Sequence, residues 1–219
     1  MEYSIQNLQF LLDGALVTIE LWLVSVIFSF IFAVPVAIVR NNKTPVLGKV
    51  LTIFTNIIRG TPLMLQLYTV YFAIPILLGM GMGSFLSASI AMIISGTAYM
   101  NEIIRVGIRS VEKWQYDAAQ ALGLNYWQTM LYIVLPQAFS RSVAGIGNEI
   151  VSRLYSIPLI AVLGMDELLK NAKVIVVRTF DFTPFLIIAI FYYLFNTLIL
   201  KIVNSYEKRL TKFKLAENQ

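Results

Sequence analysis

The chain has 219 residues, 58% of them hydrophobic and only 13% charged, and a mean hydropathy of +0.75, far from the balance of a water-soluble domain. A net charge of +5 does not point to nucleic acid here, because basic loop residues orient membrane proteins. Cysteine and histidine are both absent, which excludes disulfide frameworks, thiolate or imidazole metal sites, and Ser-His or Cys-His nucleophile systems. The chain by itself is not expected to be an enzyme.

A spanning helix needs about 20 mostly apolar residues. The stretches 21–39, 63–100 and 182–200 hold no charge at all, and "LGMGMGS" supplies a glycine-rich turn inside the second of them. The expected fold is therefore all-α and polytopic, a single domain over residues 1–219 with about five crossings, at roughly 15–39, 51–78, 85–104, 142–163 and 183–203. The N-terminus has Glu2 and no Lys or Arg before the first apolar run, so it lacks the basic flank of a cleaved signal peptide.

Within this order, Glu20 reads as interfacial near the outer end of the first crossing, and Trp22, Tyr68 and Tyr71 as packing or belt residues. Gly60 and Pro62 break the start of the second crossing, where Arg59 either snorkels to the interface or gates. Arg40, Lys43, Lys49, Arg105, Arg109, Lys113, Arg141 and the Lys- and Arg-rich end of the chain all fall on one side of alternate crossings. That side is expected to be cytoplasmic, with the N-terminus outside and the C-terminus inside. The 164–183 loop is the exception, its Lys170, Lys173 and Arg178 offset by Asp166, Glu167 and Asp181.

A polar segment of about residues 105–136 separates the third and fourth crossings. "YDAAQALG" favours a short helix stopped at Gly123, and "LNYWQTMLYIVL" restarts a helical pattern in which Tyr126, Met130 and Ile133 share a face until Pro136 ends or kinks it. The spacing of Asp117-Ala118-Ala119, Gly123, Ile133 and Leu135-Pro136 resembles the loop signature of ABC-transporter importer permeases, E-A-A, three residues, G, nine residues, I-x-L-P. Asp117 stands where that family usually has Glu. "RGTPLMLQLY", "GTAYMNEIIRVGIRSV" and "LIAVLGMDEL" are similar, in order, to segments of the polar amino acid uptake permeases, and the resemblance runs over about residues 10–205.

This resemblance implies a multi-pass subunit of the cell inner or plasma membrane. It would pair with a second permease as a homodimer or heterodimer, dock a cytoplasmic ABC ATPase, and receive its amino acid from an extracellular or periplasmic binding protein. It also implies that the segment is a coupling loop, with Asp117, Ala118, Ala119, Gly123, Leu135 and Pro136 meeting the ATPase. No G-x-x-x-x-G-K-[ST] loop exists in the chain, so ATP and Mg are expected on the partner, and the chain itself carries no cofactor.

The fourth crossing contains Glu149 and Arg153, four residues apart on one helical face. Charges at membrane depth are costly and face a partner or an aqueous path. Two readings stand: an internal salt bridge that lets the helix insert, or a substrate site in which Arg153 holds an α-carboxylate and Glu149 an ammonium, aided by Asn148, Ser152, Tyr155 and Ser156. The stretch departs from its relatives, with Tyr155, Ser156, Ile157 and Pro158 replacing the usual Lys, Asp, Thr and Ser. An unusual substrate would explain this, and so would a heterodimer whose other half carries the typical site. Pro158 is expected to kink or unwind the crossing near its middle. The competing function is a non-transporting membrane scaffold or receptor on the same fold. An ion channel or secondary transporter is disfavoured by the lack of internal repeats.

Overall fold

The computed structural model describes residues 5–42 and 44–217, from 209 onward as backbone only. Helices α1 (Ile5–Asn41), α2 (Leu47–Gly60), α3 (Leu63–Tyr68), α4 (Ile74–Leu78), α5 (Ser84–Arg109), α6 (Lys113–Ala121), α7 (Tyr126–Thr129), α8 (Leu135–Ser156), α9 (Leu168–Thr179) and α10 (Thr183–Glu217) follow one another, with no strand among the described residues. Three stretches are long and apolar enough to cross a membrane: Ile5–Asn41, Tyr126–Leu163 and Thr183–Lys208. The pair Leu47–Gly60 and Leu63–Leu78 makes a fourth if it crosses as one. At 26 residues, α5 has the length for a crossing. It is less apolar because it lies at the centre of the bundle, where Ser, Gly and Asn face neighbouring helices rather than lipid.

The packing of α1 on α5 explains the polar content of both. Ser25, Ser29, Ala33 and Ala37 recur every four residues along the buried side of α1, and Ser87, Ala91, Ser95 and Ala98 recur at helical spacing on the buried side of α5; further up α1, Gly14 and Thr18 meet the start of α9 instead. Small side chains let two backbones approach where lipid offers no hydrophobic drive for association. The Ser29 hydroxyl donates to the Ile93 carbonyl across this seam at 3.2 Å. The far side of α5 meets α8 as closely: a Cβ on Gly107 would lie 2.7 Å from the Ala138 carbonyl oxygen. Because backbone does not move aside, Gly107→Ala should destabilise by about 1–3 kcal/mol. The expected result is a lower thermal midpoint of the purified protein, with Gly81→Ala unchanged, since nothing lies within 4 Å of a Cβ at Gly81.

Of the sequence expectations at glycine and proline, the break at Gly60 and Pro62 is present as a full corner: α2 and the α3–α4 stretch are bent by 111° there. Gln66 stabilises the corner, its amide donating to the carbonyls of Ile58 at 2.8 Å and Thr61 at 3.0 Å, which satisfies acceptors freed at the end of α2.

Pro136 does not end its helix. A π-turn over Met130–Val134 joins α7 to α8, Leu135 N–H donating five residues back to Met130, and Pro136 sits in the first turn of α8. The same device, a π-turn over Thr69–Ala73, precedes Pro75 of α4. In each, the wider turn absorbs the proline, which has no N–H to contribute to the ladder. The extra residue also rotates the helix, so the buried line runs through Met130, Val134 and Ala138, while Tyr126 is exposed and Ile133 only half-buried.

Pro158 does not unwind the crossing. From Ile157 to Leu163 the chain tightens into a 3-10 helix, ending at Gly164 with φ of +80°. The fourth crossing is thus one continuous helical stretch from the polar insert to Gly164.

Candidate functional site

Glu149 and Arg153 are both buried, at 8% and 4% exposure, on the side of α8 that meets α5. Arg153 Nε lies 2.7 Å from Glu149 Oε1. The two form an ion pair without an aligned hydrogen bond, since neither of these atoms has a hydrogen-bond partner among the described residues. Arg153 also donates from Nη1 to the Ser95 hydroxyl at 3.1 Å, and its guanidinium lies 5.4 Å from the centroid of the Tyr99 ring. On α1, the Trp22 indole donates to the Ile150 carbonyl at 3.0 Å and stacks edge-on against Phe195, which fixes α8 against α1 and α10.

The other four candidate residues do not all join this pair. Asn148, Ser152 and Tyr155 are exposed. Their spacing of four and three residues puts them on one line of α8, about 100° around the helix from the line of Glu149 and Arg153. Ser156 is half-buried and its hydroxyl is spent on the Ser152 carbonyl. The six residues thus divide on α8 between a charged line facing the bundle and a polar line facing outward.

Tyr99 extends the charged line in the other direction. The Arg59 guanidinium lies 5.5 Å from the same ring centroid, so one aromatic ring is shared by two cations, and the Tyr99 hydroxyl donates to the Arg59 carbonyl at 3.3 Å. Below it Glu102 gathers three arginines: Arg40 at 2.9 Å, Arg59 at 3.9 Å, and Arg105 in direct contact. Arg40 also donates to Asn101 and to the Thr52 hydroxyl. A groove of about 520 Å³ opens here, with Arg59, Tyr99, Glu102, Arg141 and Ser142 among its walls.

The Tyr99 and Glu102 network was not foreseen from the residues, because its members come from α1, α2, α5 and α8. The only available signal was the string "YMNEIIR", with Tyr99, Glu102 and Arg105 at helical spacing.

The polar insert is a hairpin of helices. In α6, Asp117 and Ala118 are exposed while Ala119 is buried, so the three motif residues divide between an outward face and the anchor to the bundle. Gly123 has φ of +76°, the left-handed region that glycine occupies without strain. Asn125 and Gln128 then cap α7 reciprocally. Leu135 is buried and Pro136 exposed at the start of α8. Within the insert, Leu122 and Trp127 beside the turn are 79% and 58% exposed, and Trp114 at the start of α6 is 62% exposed. Large apolar side chains rarely gather at such exposure unless something covers them.

The model of the binding-protein-dependent transport system inner membrane component family matches residues 25–212. The chain belongs to this family. Among its relatives, a Bacillus subtilis protein named "Probable glutamine ABC transporter permease protein" is 36% identical over 198 residues, 89% of this chain and 90% of that one. The "Arginine transport system permease protein" of the same organism is 31% identical over 208 residues, 94% of this chain and 95% of that one. Among solved structures, one titled "Crystal structure of an amino acid ABC transporter with histidines" matches with a TM-score of 0.83 at 28% identity, covering 94% of this chain and 96% of that one. The protein is accordingly a multi-pass permease subunit of an ABC importer. It is a transport subunit and not itself an enzyme.

Proposed function

We propose that this permease carries a polar amino acid, that Glu149 and Arg153 receive its zwitterionic end, and that the insert transmits the strokes of a separate ATPase. The observation that carries the substrate reading is the ion pair itself. It holds two opposite charges together in a buried place, where Arg153 would meet a zwitterion's α-carboxylate and Glu149 its α-ammonium. The relatives' names agree on the class, since glutamine and arginine share little beyond that end. The exposed line of Asn148, Ser152 and Tyr155 is then the side turned toward a second permease subunit, with Ser156 at its edge.

For the insert, Asp117, Ala118, Gly123 and Pro136 face outward with three exposed apolar side chains beside them, while Ala119 and Leu135 tie the hairpin to the bundle. This suits a lever seated on a cytoplasmic ATPase that holds ATP and Mg. The orientation has the N-terminus outside. In support, Arg105, Arg109, Lys113 and Arg141 flank the insert, and basic residues of short loops favour the cytoplasmic side. An external binding protein would deliver the substrate on the opposite side.

The test is uptake of labelled glutamine and arginine into proteoliposomes holding the permease and its co-expressed ATPase, with the binding protein added outside. Uptake is expected to require ATP and the binding protein and to survive collapse of ion gradients. Uptake that follows an ion gradient without ATP would overturn the mechanism. Failure to transport any amino acid, with the ATPase still bound, would favour a scaffold or receptor.

A further inference from the structure

Where α1, α2 and α5 end together, a pocket of about 410 Å³ is lined by Arg40, Thr44, Lys49, Thr52, Ile53 and Arg109, among others. No carboxylate is among its walls. Arg40 is already held by Glu102 and Asn101, but Lys49 and Arg109 have no ion-pair or hydrogen-bond partner among the described residues. The Thr44 hydroxyl is buried and also unpartnered. The pocket therefore offers cations and a spare hydroxyl, and it lies on the same side as the insert, because Arg109 ends the helix that leads into it.

The helix forming its lip decides what kind of anion fits. Lying at 111° to the α3–α4 stretch, α2 runs close to the membrane plane if that stretch crosses. Leu47, Val50, Ile53, Phe54 and Ile57 are all 41–61% exposed and fall within one 120° arc of the helix, while Gly48 and Thr55 face the protein. An amphipathic helix of this kind lies in the headgroup zone with its apolar face toward acyl chains. Ile53 belongs to both the apolar arc and the pocket wall, so the pocket mouth opens at the level where headgroup meets acyl chain.

We infer that this pocket binds the headgroup of an anionic phospholipid of the inner leaflet, its phosphate between Lys49 and Arg109 and its acyl chains along the α2 apolar face. Basic pockets between spanning helices on the cytoplasmic side recognise lipids in this way. The inference rests on the proposed orientation, in which the insert side is cytoplasmic.

The test uses the permease co-purified with its ATPase and exchanged into nanodiscs of phosphatidylcholine with a minor fraction of phosphatidylglycerol, followed by native mass spectrometry of the lipids retained. The wild type should retain phosphatidylglycerol in preference, and Lys49→Gln and Arg109→Gln should each lower that preference about fivefold. Ile53→Glu should lower it with both cations in place. Thermal midpoints near wild type show that the variants are folded. Equal retention of both lipids by the wild type, or an unchanged preference in the double Lys49→Gln/Arg109→Gln variant, would overturn the inference. So would displacement of the lipid by millimolar-range inorganic phosphate, which would make the site one for a free anion. Weakened ATPase association without a lipid effect would assign the surface to the ATPase instead. A protease site placed after Leu122 in sealed vesicles reads the orientation separately, so an error there is distinguishable from an empty pocket.

Discussion

Arg153→Met should abolish amino acid uptake and also destabilise the permease, whereas the double variant Glu149→Gln/Arg153→Met should regain stability without regaining uptake. Removing one partner of a buried pair leaves the other charged and uncompensated, at a cost of about 3–5 kcal/mol. Arg153 additionally gives up the Ser95 hydroxyl and the Tyr99 face, the latter contributing about 0.5–2 kcal/mol. Neutralising both partners removes the stranded charge, so much of the stability returns. The thermal midpoint and substrate-stimulated ATP hydrolysis, measured on the same preparations, separate the two readings of the pair. A salt bridge that only permits membrane insertion would give a double variant that is stable and still transports with unchanged substrate affinity. That outcome would remove Glu149 and Arg153 from the substrate site.

Gly123→Trp should abolish ATP-driven uptake while leaving membrane insertion and the bundle fold intact. With φ of +76°, the position disfavours any side chain by about 1–2 kcal/mol. That cost falls on an exposed turn already fixed by the Asn125–Gln128 capping box, so it is too small and too local to unfold the bundle. Nothing lies within 4 Å of a Cβ at this glycine, and a large side chain would project into the space beside Leu122 and Trp127 where a partner would sit. The expected readout is a permease of normal thermal midpoint whose ATPase no longer co-purifies, or no longer couples hydrolysis to uptake. Coupled uptake at the wild-type rate would show that the turn does not carry the contact. Gly123→Ala, with the backbone strain but not the bulk, should retain most activity.

Some of this architecture was legible in the residues alone. The uncharged runs marked the crossings because hydrocarbon tolerates little else. The turn at Gly123 was legible because left-handed backbone selects glycine, and the pairing of Glu149 with Arg153 because four residues make a little over one helical turn. Pro136 does not end its helix and Pro158 does not unwind its own, and the turn each takes was not legible for a shared reason. A proline withdraws one N–H, but whether the chain kinks, widens into a π-turn or tightens into a 3-10 turn depends on which neighbours fix the helix on either side.

The sequence by itself determined the membrane environment and the position of the insert, since apolar run length, helical spacing and turn chemistry are local properties, while the family came from the resemblance of its motifs. Only the tertiary structure decided that Tyr99 is shared by Arg59 and Arg153, that Glu102 gathers arginines from three helices, that the charged line of α8 faces the bundle, and that α2 walls a basic pocket. Each of these depends on which helix faces lie against one another. That is settled by small residues such as Gly96, which admits the Ser29 side chain, and Gly107, which admits the Ala138 backbone, and no spacing along one helix encodes it.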